Sequence, residues 1–219
     1  MPAASVAKPA TRSGRLYVLA GTNGAGKSTI GGEALRQAGV DFFNPDEAAQ
    51  RIRTAQPQLT QTEVNSAAWH QGRRLLERAI ADHLDFAFET TLGGSTMPRL
   101  LFEAASQGFE VRIWYVGLAS PDLHIERVRN RVRAGGHDIP ESSIRRRWRH
   151  SRLNLVQLLP HLTELRVYDN SSDADPAEGH APRPVLVLHL DQGEIVGPPD
   201  LSLTPEWAKP IVAAALKLG

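Results

Sequence analysis

Nine residues near the start of the chain, Gly21-Thr-Asn-Gly-Ala-Gly-Lys-Ser-Thr29, have the types and spacing of a loop that binds nucleotide phosphates. In such a loop the backbone N–H groups face the phosphates, the lysine reaches their terminal oxygens, and the next hydroxyl ligates Mg²⁺. The pattern therefore predicts ATP and Mg²⁺ as cofactors, with Lys27 on the phosphates and Ser28 on the metal. The predicted ATP-binding residues are Gly21, Thr22, Asn23, Gly24, Ala25, Gly26, Lys27, Ser28 and Thr29.

Carboxylates end two later apolar runs that have the composition of strands. Asp46 follows the run over residues 41–44, and Glu89 closes the run over residues 86–89, with Thr91 two positions on. Ligands of open α/β sheets bind beyond the carboxyl ends of the strands, so these side chains are candidates for a substrate site. Asp46 is suited to accept a proton from an attacking hydroxyl, or it caps the helix that follows, and the residues favour neither interpretation. Glu89 is interpreted as functional, binding substrate hydroxyls with Thr91 or holding Mg²⁺ through water, because a buried unpaired carboxylate is costly.

Arginines are dense between residues 127 and 152, in two helical patterns separated by Gly135-Gly-His-Asp-Ile-Pro140. A glycine-hinged helical pair with this charge is typical of a kinase lid, whose arginines clamp transferring phosphates and exclude water. A solvated basic face is the better interpretation for any single arginine. A nucleic-acid surface is disfavoured because the net charge is only +1 and Trp148 is the lone aromatic residue of this segment.

Apolar runs alternate with helical patterns along the chain, which predicts a doubly wound α/β fold with a mostly parallel sheet flanked by helices. The predicted strands are residues 16–20, 41–44, 86–89, 111–117 and 166–168, followed by a hairpin over 185–190 and 194–196. The predicted helices are residues 27–38, 46–53, 62–83, 97–107, 121–133 and 141–157, with another beyond Pro205 that Pro210 either starts or kinks. We expect residues 1–14 to be a flexible tail, residues 171–184 an exposed loop, and residues 15–219 one domain that contains the lid and ends in the hairpin and helix.

The composition excludes several classes of protein. The 219 residues include no cysteine, so a disulfide framework, thiolate metal sites and a cysteine nucleophile are excluded. No apolar run approaches the length that crosses a membrane, and the first 14 residues lack the apolar core of a secretory signal. We therefore expect a cytoplasmic protein with no membrane partner. The histidines other than His137 show no metal-ligand spacing and are interpreted as structural or surface residues.

These motifs together resemble the zeta-toxin family of P-loop kinases. The resemblance rests on the phosphate loop and on five later stretches in a fixed order, which are Asn44-Pro-Asp46, Phe88-Glu-Thr-Thr-Leu92, Arg131-Val-Arg-Ala-Gly-Gly-His-Asp-Ile-Pro140, Ile144-Arg-Arg-Arg147 and Asp169-Asn-Ser171. It implies a three-layer P-loop NTPase fold and a toxin that phosphorylates a sugar hydroxyl of UDP-N-acetylglucosamine. It also implies a small antitoxin protein as partner.

The resemblance further implies a role for each matching residue. Asp46 is the base for the acceptor hydroxyl, Glu89 and Thr91 bind the sugar, and lid arginines steady the γ-phosphate. The catalytic residues implied are Lys27, Asp46, Arg133, Arg146 and Arg147. The substrate-binding residues implied are Asp46, Glu89, Thr91, His137 and Arg152, and the metal ligand is Ser28.

The predicted function is therefore an ATP-dependent phosphotransferase acting on a small metabolite, with UDP-N-acetylglucosamine as the acceptor implied by the resemblance. Two alternatives stay open. One is a P-loop kinase for a nucleoside, an antibiotic or a nucleic-acid end, and the other is a nucleotide-dependent switch or ATPase without an acceptor. A switch needs neither an acid at Asp46 nor a glycine-hinged arginine lid, which favours a kinase.

Overall fold

The computed structural model describes residues 14–27, 30–31, 42–172 and 184–218. Ser28 and Thr29, most of the predicted helix over 27–38, residues 1–13 of the predicted tail and most of the predicted loop over 171–184 lie outside the described residues. The described residues confirm the predicted fold class, a mostly parallel sheet flanked by helices.

Among the described residues, seven strands form one sheet in the order β2-β3-β1-β4-β5-β6-β7. The first five in this order pair in parallel, and β6 and β7 form the predicted antiparallel hairpin at one end. β1 is central, and the burial of Leu16, Val18 and Leu19 explains why its sequence is apolar without alternation. The strands are β1 (Arg15–Ala20), β2 (Phe42–Phe43), β3 (Phe86–Thr90), β4 (Glu110–Gly117), β5 (Glu164–Asp169), β6 (Val185–Asp191) and β7 (Glu194–Gly197).

The strand order places three predicted parts of the site at one edge of the sheet. β2 does not lie beside β1, because β3 is inserted between them. All three strands are parallel, however, so their carboxyl ends meet at the same edge. The phosphate loop after β1, Glu89 near the end of β3 and Asp46 after β2 therefore share that edge.

The described helices begin and end within two residues of their predicted bounds, apart from the last one. They are α1 (Pro45–Ala55), α2 (Gln61–Ala81), α3 (Thr96–Ser106), α4 (Pro121–Arg133), α5 (Glu141–Leu158) and α6 (Lys209–Ala215). Local chemistry sets the starts of three: Asn44 caps α1, Thr60 and Glu63 form a capping box on α2, and Ser120 caps α4. None of the described helices has both the length and the apolar character needed to cross a membrane.

The chain after the hairpin packs back onto the carboxyl ends of β4 and β5. Trp207 is buried, its Nε1 donates to Asp169 Oδ1 at 3.2 Å, and its carbonyl oxygen accepts a bond from Arg152 Nη1 at 3.1 Å. Any side chain at Gly117 would clash with this indole. Pro210 lies in the first turn of α6, where a missing N–H is tolerated, so it starts the helix rather than kinking it.

Candidate functional site

The phosphate loop (residues 21–27) follows a path that only glycine takes without strain. Gly24 and Gly26 have φ angles of +82° and +85°. A Cβ on Gly24 would lie 2.7 Å from the carbonyl oxygen of His124, and one on Gly26 would lie 2.5 Å from Asn170 Nδ2. The loop is therefore shaped by its glycines and packed closely on its outer side.

Two buried side chains hold this loop by its carbonyl groups. His124 Nδ1 donates to the carbonyl oxygen of Asn23 at 2.8 Å, and Asn170 Nδ2 donates to that of Ala25 at 2.9 Å. Both side chains belong to residues that are about 1% exposed. Neither residue was predicted as a site residue, because His124 belongs to no motif and Asn170 is recognisable only as part of the stretch Asp169-Asn-Ser171.

The bond from His124 determines its protonation. A carbonyl oxygen only accepts, so Nδ1 carries the proton, and the buried Nε2 has no hydrogen-bond partner among the described residues. Burial lowers the pKa of His124 to about 4, and the charges of Lys27 and Arg127 act in the same direction against the partial compensation of the Asn23 bond. His124 is therefore a neutral donor near pH 7.

A buried ion pair joins the phosphate loop to β3. Lys27 Nζ lies 3.3 Å from Glu89 Oε1, and the two side chains are only 7% and 12% exposed. Asn44 Nδ2 donates to Glu89 Oε2 at 3.3 Å. The Oδ1 atom of the same Asn44 caps α1 by accepting from Asp46 N at 2.8 Å and Glu47 N at 3.3 Å. Asn44 thus ties Glu89 to the start of the helix that carries Asp46.

Asp46 is not the cap of α1, so the capping interpretation of this residue is wrong. Its side chain is 52% exposed, and Arg131 Nη1 lies 3.4 Å from Oδ2 while His137 Nε2 lies 3.9 Å from Oδ1. Arg131 Nη2 also donates to the carbonyl oxygen of His137 at 3.3 Å. The side of the arginine-rich segment that faces the sheet edge therefore contacts this carboxylate.

Arg147 brings the second helix of the lid segment (residues 127–152) to the phosphate loop. Its Nη1 donates to Asn23 Oδ1 at 2.7 Å. Burial lowers the pKa of Arg147, Arg146 adds to this effect, and Asp46 opposes it. A guanidinium whose charged form is disfavoured in this way gains free energy when an anion comes within reach.

Residues of the phosphate loop, of the neighbouring strand ends and of the lid segment line one cavity of about 650 Å³, a size typical of small-molecule sites. The cavity is polar on the side of the phosphate loop and the lid segment. It includes two arginines of α4, Arg127 and Arg131, that were not among the predicted site residues. Their four-residue spacing, which puts both on one face of the helix, was the signal that could have identified them.

The predicted site residues that line the cavity are Asn23, Gly24, Gly26, Lys27, Asp46, Glu89, Thr91, His137 and Arg147.

Three predicted residues of the lid segment lie away from the cavity lining. Arg133 donates to Asn130 Oδ1 at 3.1 Å on the surface, and Arg146 is exposed. The Arg152 guanidinium carbon stacks 3.4 Å from the centroid of the Trp148 ring and also bonds to Trp207. The packing therefore gives Arg152 a contact with the C-terminal segment, whereas Arg147 reaches the phosphate loop.

The described residues of the loop fit nucleotide phosphates. A backbone path that any Cβ would obstruct, next to a buried lysine, is the arrangement that lets phosphate oxygens approach main-chain N–H groups. No group of three or more His, Cys, Asp or Glu side chains capable of holding a metal occurs among the described residues. Ser28, the predicted Mg²⁺ ligand, lies outside them.

A family model described as an AAA domain matches residues 16–152. An uncharacterised protein of Haemophilus influenzae (strain ATCC 51907 / DSM 11121 / KW20 / Rd) is 31% identical over 129 residues, which are 58% of this chain and 88% of that protein. The family match includes the whole phosphate loop.

Two solved structures show the same fold at low sequence identity. A chain of the AvrRxo1-ORF1:-ORF2 complex with ATP superposes with a TM-score of 0.64 and 15% identity, covering 93% of this chain and 64% of that one. A chain of the PezAT chromosomal toxin-antitoxin system of Streptococcus pneumoniae superposes with a TM-score of 0.53 and 15% identity, covering 80% and 75%. This chain thus spans less than two thirds of the AvrRxo1 chain that it matches.

The buried imidazole predicts a specific loss of stability in acid. The folded pKa of His124 is about 4, below the 6.5 of a free histidine, so the unfolded chain binds the proton first as the pH falls. This contribution to stability is complete above pH 6.5 and is lost progressively down to pH 4. His124→Asn keeps an N–H donor without a titrating ring, and we expect the wild type to lose about 3 kcal/mol more than this variant across that interval.

Urea denaturation at a series of pH values measures this difference. His150→Asn, which replaces an exposed imidazole on α5, is the matched control and is expected to follow the wild type. Parallel stability curves for wild type and His124→Asn would show that the ring is not buried as described.

Replacement of the loop lysine tests the phosphate site. We expect Lys27→Met to weaken ATP binding by at least about 10-fold, because a charged hydrogen-bond donor to the phosphates is lost. Isothermal titration measures the affinity, with Lys209→Met as a control that removes an exposed lysine. An unchanged affinity in a folded Lys27→Met protein would exclude this loop as the phosphate site.

Proposed function

We propose that this chain, which belongs to the AAA domain family, is an ATP-dependent kinase for a hydroxyl group of a small molecule. The fold is that of a P-loop kinase-like domain. The observation that carries the proposal is the position of the Asp46 carboxylate. It lines the same cavity as the phosphate-loop lysine and is contacted by two residues of the lid segment.

The ATP of the AvrRxo1 complex supports ATP as the ligand of the loop. When bound, ATP supplies the phosphoryl group, with Mg²⁺ neutralising its charge. In this chain Lys27, the loop N–H groups and Ser28 would hold the triphosphate and the metal. Arg127, Arg131 and Arg147 are the arginines placed to neutralise charge on the phosphates, because they line the cavity. Arg133 and Arg146, implied by the resemblance, would need a movement of the lid to reach it.

Asp46 is assigned as the base. An exposed carboxylate at the start of a helix can reach the hydroxyl of a bound acceptor and take its proton as the oxygen attacks. Arg131 and His137 contact the carboxylate and are assigned to orient it. Glu89 and Thr91 line the same cavity and are assigned to the acceptor. The Lys27–Glu89 pair would separate when the phosphates bind the lysine.

UDP-N-acetylglucosamine is the first acceptor to test, because the motifs from Asn44 to Ser171 resemble those of zeta toxins. The PezAT toxin-antitoxin system, which has the same fold, supports an antitoxin protein as a possible partner to test. We further propose that residues 15–219 act as one kinase domain in the cytoplasm. The lid segment would close over the cavity when both ligands are bound.

Replacement of Asp46 tests the proposed base. We expect Asp46→Asn to lower kcat by about 10²- to 10⁴-fold, the range supplied by general bases, while the affinity for ATP stays within a few-fold. Glu47→Gln is the matched control, because it removes the adjacent exposed carboxylate, which does not line the cavity. Transfer is measured by mass spectrometry after incubation with ATP, Mg²⁺ and a panel of UDP-sugars, nucleosides, aminoglycosides and oligonucleotides.

The panel also separates the kinase from its alternatives. Phosphate gained by UDP-N-acetylglucosamine supports the toxin-type reaction, and phosphate gained by another compound corrects the acceptor but keeps the kinase. If no compound gains phosphate and ATP hydrolysis is unchanged in Asp46→Asn, the proposal is wrong and a switch or ATPase is favoured.

A further inference from the structure

The cavity has a second wall whose chemistry differs from that of the phosphate loop. On the side of β2, β3, α2 and the start of α3 it is lined by Phe43, Phe88, Ala68, Trp69 and Met97. Phe43 and Phe88 are 7% and 2% exposed and form an apolar floor. Phosphates and sugar hydroxyls gain little from such a surface, so this wall is suited to a different part of the ligand.

Trp69 is the exposed member of this wall. It is 39% exposed, although its neighbour Ala68 on the same helix is buried. Its ring meets His70 edge to face, with centroids 4.9 Å apart, which limits the orientations of the indole. A large aromatic side chain left partly open at a cavity wall is a surface on which another flat ring can stack.

Amide and hydroxyl groups lie beside the indole on the same helical face. Asn65 and Ser66 also line the cavity, four and three residues before Trp69. Asn65 Oδ1 accepts a bond from Gln61 Nε2 at 2.7 Å, which orients the amide and leaves its N–H groups as donors. The absence of a Cβ at Gly72 gives Phe43 room to close the floor below them, since a Cβ there would lie 2.5 Å from the Phe43 ring.

We propose that Trp69 and Asn65 form a subsite for a planar heterocycle carried by the phosphate acceptor. Stacking on the indole supplies affinity, and the oriented amide reads an acceptor atom at the edge of the ring. The ligand class is therefore a nucleoside or a nucleotide-linked sugar, rather than a free sugar or a sugar phosphate. The inference rests on the proposed function in one respect, which is that the ring belongs to the acceptor.

The position of the subsite favours the acceptor over the ATP donor. Phe43 and Phe88 lie on β2 and β3, the strands whose ends also carry Asp46 and Glu89. The groups assigned to the acceptor hydroxyl and the apolar wall thus occupy the same half of the sheet. Arg127, which is assigned to the phosphates, lies toward the other half of the sheet. It bonds to the carbonyl oxygen of Ser172 at 3.3 Å, just beyond the end of β5, and β5 is on the opposite side of β1 from β3.

Binding without turnover tests the subsite. The full chain is titrated in the presence of Mg²⁺ and a saturating non-hydrolysable ATP analogue, which keeps the phosphate loop filled. The titrants are the four common ribonucleosides, UDP-N-acetylglucosamine, ADP-glucose and GDP-mannose. The sugar 1-phosphates that correspond to the three nucleotide sugars serve as titrants without a ring. The variants are Trp69→Ala, Trp69→Phe and Leu75→Ala, the last removing an exposed apolar residue of α2 outside the cavity lining.

We expect at least one ring-bearing titrant to bind the wild type and to lose roughly 10-fold or more in affinity for Trp69→Ala, within the range of base stacking on an aromatic side chain. Trp69→Phe should keep most of this affinity, and Leu75→Ala should match the wild type. The sugar 1-phosphates should bind wild type and Trp69→Ala equally.

Three results would overturn the proposal. One is equal affinity of wild type and Trp69→Ala for every ring-bearing titrant, including no binding at all. Another is an equal loss for nucleotide sugars and sugar 1-phosphates. The last is a loss of affinity for the ATP analogue alone, which would assign the ring to the donor. Because no transfer is measured, a protein that binds rings through Trp69 but phosphorylates nothing would keep the subsite and contradict only the kinase.

Discussion

The buried pair of Lys27 and Glu89 is the interaction on which the site is built. An ammonium group removed from water requires a carboxylate close by, and removing one partner of such a pair typically costs about 3–5 kcal/mol. The ion pair therefore joins the end of β3 to the loop after β1. Asn44 donates a hydrogen bond to Glu89 and also caps α1, so it connects the ion pair to the start of that helix. The position of Asp46 at the start of α1 follows from these contacts.

The lid segment completes the site from the other side of the cavity. Its first helix contacts Asp46 through Arg131, and its second contacts Asn23 through Arg147. Each contact joins a lid cation to a residue assigned to one of the two ligands. Opening and closing of the lid would therefore affect both ends of the cavity together, which fits a reaction in which two substrates must be enclosed before transfer.

The motifs of the sequence were sufficient for the fold class and for many of the residues that line the cavity, but not for the residues that support the phosphate loop. The phosphate loop, Asp46 and Glu89 are recognisable because chemistry restricts their residue types and the strand pattern places them at one edge. His124 and Asn170 were missed because a side chain that bonds to a distant carbonyl has no local pattern. Within the arginine cluster the resemblance implied Arg133, Arg146, Arg147 and Arg152, and of these four Arg147 alone lines the cavity. Which arginines face the cavity depends on how α4 and α5 pack, and composition does not encode that packing.

The two carbonyl bonds to the phosphate loop also bear on how a ligand is received. His124 and Asn170 fix the carbonyls of Asn23 and Ala25 through hydrogen bonds from within the protein. The conformational entropy of the loop is therefore lost when the chain folds, and little remains to be lost on binding. A phosphate therefore binds to a loop that is already rigid. The selectivity of the loop depends on His124 and Asn170, which lie more than a hundred positions away in the chain.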